Sequence, residues 1–279
     1  MDRLRVLIHS FALLFLSVVP VLAQLYDTVR VATVNLSGYS AEEGDHRIRD
    51  YRSILDKLDA DVVAVQGLVS LEAMLDFARK VSLQVLPQLT PTGNFQDSQD
   101  SYSVVLLTQP KFVITGRARI DGLNKDIILV SLLNTDTDDT ITIVTLDWVS
   151  GDDPISQGLR NQDAILLDSV MMEMGLYERN LVVAGTFNAR MSEAPELQKI
   201  MVDGKLIDPA DRPGEWYNNV LFADLHTAST RVGEGDDLGL IDRSDLILLS
   251  GSLNQRYIDG SYTVFGNDGQ HFADSVNGE

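Results

Sequence analysis

The sequence predicts an α/β fold with helices outside and strands inside, and three observations carry that prediction. First, residues 28–36, "TVRVATVNL", are β-branched and partly alternating, as a strand requires. Second, "HRIRDYRSILDKL" at 46–58 sets Ile48, Tyr51, Ile54, Leu55 and Leu58 three and four apart, which is one apolar face of a helix. Third, "ADVVAVQGL" at 60–68 is apolar almost throughout, the texture of a strand covered on both faces, so the three segments read as a βαβ unit.

A second helix is expected from Ser70 to about Lys80, followed by a polar loop, "PTGNFQDSQD". From Tyr102 the pattern becomes successive strands, "YSVVLL", "KFVITGRARI", "KDIILVSLLN" and "TITIVTLDWV", separated by turn sequences such as "DTDD" and read as one antiparallel meander. A helix from about Leu159 to Met174 leads into the strand "NLVVAGTF". Ser192 is then the expected N-cap of a helix with Pro195 in its first turn. The chain closes with the expected strands "SDLILLS" and "SYTVFG". The whole divides into two parts, each with one βα-rich segment and several antiparallel strands.

Composition bounds the function. The 279 residues carry 44% hydrophobic and 23% charged side chains, enough for a substantial core in one domain. The absence of Cys excludes disulfides and thiolate metal sites. Residues 1–23 have Arg3 and Arg5, then an apolar run broken at Pro20 and ending in "VLA", the pattern of a signal peptide; an uncleaved anchor is the alternative. The folded domain is expected to span 24–279, with no transmembrane segment after cleavage, and the protein to be secreted or periplasmic. A net charge of −19, without any basic run, argues against nucleic acid as a partner.

Six segments in order, "VATVNLSGY", "LDADVVAVQGL", "IVTLDWVSG", "VVAGTFNAR", "DRSDLILLS" and "GNDGQHF", resemble the endonuclease/exonuclease/phosphatase superfamily over essentially the whole mature chain. The segments "PGEWYNN", "HTASTR" and "GNDGQHF" are similar to a secreted bacterial branch of it. The resemblance implies a four-layer α-β-β-α sandwich of two packed mixed sheets, and phosphoester hydrolysis with a divalent metal, usually magnesium.

The same resemblance implies which positions matter. Asn35, Asn188, Asp245 and His271 match surviving family positions, Asp245 and His271 being the pair in which a carboxylate orients an imidazole. Gly67 stands where the family has its metal-binding Glu, Asp147 where it has a His, and Thr186 where it has an Asp that orients water or metal. Glu72 is not expected to reach back to the site, and Asp268 stands near the final His.

Each survivor also has a structural reading. Asn35 would cap a strand end, Asp245 would pair with Arg243 or Arg231, and His271 would be a satisfied structural side chain.

The expected function is therefore a fold relative that has lost metal-dependent hydrolysis and is retained for binding or interaction. An unidentified ligand in the relic cleft would be its partner, with no cofactor. The alternative is an active phosphodiesterase, nuclease or phosphatase with a displaced magnesium site built from Asp147, Asp245 or Asp268. A third possibility is a cleft filled by a side chain such as Trp148. Gly67→Glu, Thr186→Asp and Asp147→His together are expected to raise divalent-metal affinity.

Overall fold

The computed structural model describes residues 28–42, 45–81, 102–120, 127–231, 237–270 and 272–273. The leader at 1–23 and His271 lie outside the described residues. The elements run β1(Val31–Tyr39), α1(Asp45–Leu58), β2(Val62–Leu68), α2(Leu71–Val81), β3(Tyr102–Leu107), β4(Phe112–Ile120), β5(Ile127–Asn134) and β6(Asp139–Asp147). They continue with α3(Pro154–Glu173), β7(Leu181–Thr186), α4(Pro195–Met201), β8(Leu206–Ile207), β9(Ala228–Arg231), β10(Asp237–Asp242), β11(Asp245–Ser250) and α5(Gly251–Asn254).

Two mixed sheets form the centre. One has the order β1-β2-β3 and the other β4-β5-β6-β7-β11-β8, while β9 and β10 form a separate hairpin. β1 runs parallel to β2 and β6 parallel to β7, each joined through a helix; the remaining pairs are antiparallel. Side-chain alternation sorts the apolar residues into three slabs. Val62, Ala64 and Val105 meet Ile128, Ile143 and Val182 between the sheets. Val63, Val65 and Leu106 face Ile48 of α1 and Phe77 of α2. On the far side, Val144, Val183 and Leu248 face Leu167 and Met171 of α3 and Leu197 and Ile200 of α4. Three slabs make four layers, the α-β-β-α sandwich.

β2 is buried along its whole length, as its apolar run requires. Where local pattern and structure differ, a tertiary partner has intervened. β3 pairs with β2 and not with β4, so the meander is limited to β4-β5-β6. α3 starts at Pro154, ahead of the expected Leu159, because Asp153 caps it by accepting from the Ile155 and Ser156 amides. α4 has Ala194 and not Ser192 at its N-cap; the Ser192 hydroxyl accepts from the Gly214 amide instead, 2.9 Å away.

Residues 261–266 form no strand. There Tyr262 bonds the fully buried Arg243 at 3.2 Å, and Arg243 is clamped by Asp208 at 2.6 and 2.9 Å over the Trp216 ring. Among the described residues no helix is long and apolar enough to cross a membrane.

Candidate active-site cleft

The inward-facing positions at one end of both sheets are polar. β6, β7 and β11 align Asp147, Thr186 and Asp245 as cross-strand partners in one row, and β1 and β2 align Asn35 with Gln66 opposite them. The parallel strands β1, β2, β6 and β7 run toward this end and the antiparallel β11 starts here, so strand polarity collects these residues from five strands.

Asn35 crosses between the sheets. Its Nδ2 donates to Thr186 Oγ1 at 2.8 Å, and Thr186 Oγ1 donates to Asp245 Oδ1 at 2.6 Å. A hydroxyl has one proton, so Thr186 has given its donor to Asp245 and one lone pair to Asn35. The amide oxygen of Asn35 accepts from the Ser37 backbone at 2.8 Å, closing a turn. Asn35 therefore closes a local turn within β1, short of the strand end at Tyr39, and also ties the sheets together.

Asp245 does not pair with Arg243, whose guanidinium is committed to Asp208. Burial pushes the Asp245 carboxyl up to about 6. The Thr186 and Thr227 hydroxyls oppose that rise, and the negative charges of Asp147 and Asp242 add to it. Asp242 is also raised by burial, against the nearby Arg190 charge.

Asn188 lies two residues beyond Thr186. It adopts φ 52°, and its Nδ2 donates to the Trp148 carbonyl at 2.6 Å. Trp148 does not plug the cleft: alternation along β6 sends it to the opposite face, where it is buried edge-on against Phe187 at 5.1 Å. Glu72 lies on α2 in a surface hollow with Leu71, Leu75, Asp76 and Arg79, apart from the row.

Sequence reasoning missed two participants. Gln66 is fully buried, accepting from Thr33 at 3.1 Å and donating to Thr145 at 2.8 Å across the sheets. Its signal was available, an amide on the inward face of an apolar strand, which must find partners when buried. Thr227, whose hydroxyl accepts from the Asp245 amide at 3.0 Å, carried no local signal.

A divalent ion needs several hard oxygens converging on one point. Gly67 supplies no side-chain oxygen, Thr186 is neutral and already bonded on both sides, and the Asn188 amide donates to the Trp148 carbonyl. Among the described residues no group of three or more His, Cys, Asp or Glu stands together. The residues present do not fit a family-type magnesium site.

The architecture is the endonuclease/exonuclease/phosphatase fold. Solved structures of that fold superimpose on most of this chain: a family protein from Bacteroides thetaiotaomicron at TM-score 0.57 and 15% identity, covering 80% of this chain and 83% of its own. The mannosyl-6-phosphatase of Bacteroides thetaiotaomicron VPI-5482 aligns at TM-score 0.57 and 17% identity, covering 81% and 86%. The D. rerio TDP2 complex with a single-strand DNA product aligns at 0.56 and 13%, covering 80% and 83%. Such identities establish the shared fold and nothing finer. The sequence alone matches no family model and no curated protein.

Proposed function

We propose that this is an exported protein of the endonuclease/exonuclease/phosphatase fold that has given up metal-dependent phosphoester hydrolysis and uses the cleft end of its sheets for binding or interaction. The observation that supports it most is the commitment of Thr186. The position expected to hold a water- or metal-orienting carboxylate holds instead a neutral hydroxyl, locked between Asn35 and Asp245. Asp147 adds a negative charge on the neighbouring strand, where an incoming phosphate would meet repulsion.

Each missing acid, base or ligand lowers rate by roughly 10²- to 10⁴-fold, so several together remove useful turnover. The test is a set of phosphodiesterase and phosphomonoesterase assays with Mg²⁺, Mn²⁺ and Ca²⁺. No turnover above the metal-only background is expected. A rate that vanishes when His271 is replaced by Ala would establish the displaced-metal enzyme in its place.

A further inference from the structure

The backbone at the end of the first sheet is irregular, and Gly67 there is more than a missing side chain. Between the partner pairs Asn35 with Gln66 and Tyr39 with Leu68, β1 has Leu36, Ser37 and Gly38 where β2 has Gly67 alone. The β2–β3 register shifts at the same place, between Val65 and Leu68. Both strands therefore bulge around Gly67.

Three residues there sit in the left-handed region: Ser37 at φ 49°, Gly38 at φ 80° and Gly67 at φ 73°. A Cβ on Gly67 would lie 2.4 Å from Asn35 Oδ1, 2.8 Å from the Ser37 amide nitrogen and 3.2 Å from that of Leu36. These separations are below van der Waals contact, and two of the three neighbours are backbone.

We propose that Gly67 and Asn35 form an interlocked pair that ties the two sheets together at this end. The bare Gly67 leaves the space that Asn35 Oδ1 occupies while it caps Ser37, and that placement aims Asn35 Nδ2 across the sheets at Thr186. Asn35 is a positioning residue in this arrangement, its amide bonded at both ends within the fold. No side chain enters at position 67 without displacing it.

The metal consequence, which rests on the non-hydrolytic reading above, is that restoring family residues does not rebuild a site. This corrects the expectation from sequence that Gly67→Glu with Thr186→Asp and Asp147→His raises metal affinity. The carboxylate introduced by Gly67→Glu would have to push through the Asn35 amide and the β1 backbone before reaching any cation.

A double-mutant cycle on thermal stability tests the interlock. Gly67→Ala alone is expected to lower the melting temperature by about 3–10 °C, from left-handed strain together with the clash. In the Asn35→Ala background the same change is expected to lower it by at most half as much, because the nearest obstacle is gone while the Ser37 amide and the strained φ remain. Equal penalties in the two backgrounds would overturn the pairing, as would Gly67→Glu melting at the wild-type temperature.

Calorimetry on the triple variant gives a second readout. No gain in Mg²⁺ or Mn²⁺ affinity over wild type is expected, and a gain would overturn the proposal even if the cycle shows coupling. Hydrolysis by the wild-type protein would instead overturn the functional reading and leave the interlock standing.

Discussion

Gly185→Ala is expected to cost about 4 kcal/mol or more, a large fraction of the roughly 5–15 kcal/mol that holds an ordinary domain folded. Gly185 pairs with Leu146 across the parallel β6–β7 contact at φ 156°. A Cβ there would sit 2.0 Å from the Leu146 carbonyl oxygen, 2.9 Å from its carbonyl carbon and 3.0 Å from its nitrogen. All three are backbone atoms of a fully buried residue in the middle of the larger sheet, so no rotamer change relieves the overlap. Relief would require β6 and β7 to separate, which would also part Asp147 from Thr186, the next pair in register.

Gly158→Ala is the control. Gly158 lies in α3 with nothing within 4 Å of an added Cβ, so Ala should stabilise by up to about 1 kcal/mol through helix propensity. Urea unfolding of both variants decides the matter. A Gly185→Ala protein within about 1 kcal/mol of wild type would show that the close approach of the two strands is not what holds the row together.

That contrast shows where the sequence was informative and where it fell silent. The apolar run at 62–68 and the spaced apolar face at 46–58 each reflect local periodicity, and both elements formed where periodicity put them. Pairing partners are not local: "YSVVLL" has the texture of any meander strand, yet β3 was captured by β2 because the smaller sheet needed its second edge covered. Tyr262 lies in a segment with strand texture and instead bonds Arg243, a partner 19 residues away.

At the cleft, the family resemblance grouped Asn35, Gly67, Asp147, Thr186 and Asp245, and the structure brings Asn35, Asp147, Thr186 and Asp245 together. What identity could not express was conformation. A Glu-to-Gly difference reads as one missing carboxylate, whereas the left-handed backbone at Gly67 means that β1 has closed over the space that side chain would need. Asn188 carries a conformation that its residue type could not express either: it sits at φ 52° and its Nδ2 donates to the Trp148 carbonyl.

Asp245→Asn should change the pH dependence of stability in a direction that separates the two readings of the cleft. The folded Asp245 carboxyl titrates at about 6 against 3.8 for the free side chain. Between those values the folded state holds the proton more tightly, so stability from this group is fully present below about pH 4 and is lost as pH rises through 6. A rise of that size corresponds to roughly 3 kcal/mol.

Asn is neutral at every pH and offers Thr186 the same oxygen acceptor. The stability of Asp245→Asn relative to wild type should therefore rise by about 3 kcal/mol between pH 4 and pH 7 and level off above that. The comparison must be made against wild type at each pH, since other carboxylates act in the opposite sense. Burial alone would raise Asp168, but Lys205 and Tyr177 outweigh it and hold that group below the usual range.

A carboxylate that grips a cation behaves differently, because bound Mg²⁺ favours the ionised form and stabilises the folded state at neutral pH. Urea unfolding at pH 4, 5, 6 and 7, with and without millimolar Mg²⁺, therefore reads the sign directly. A relative stability that stays flat with pH would mean that burial does not raise the Asp245 carboxyl, and a wild-type protein stabilised by Mg²⁺ at pH 7 beside an Asp245→Asn protein that is not would mean that the cleft still holds a metal.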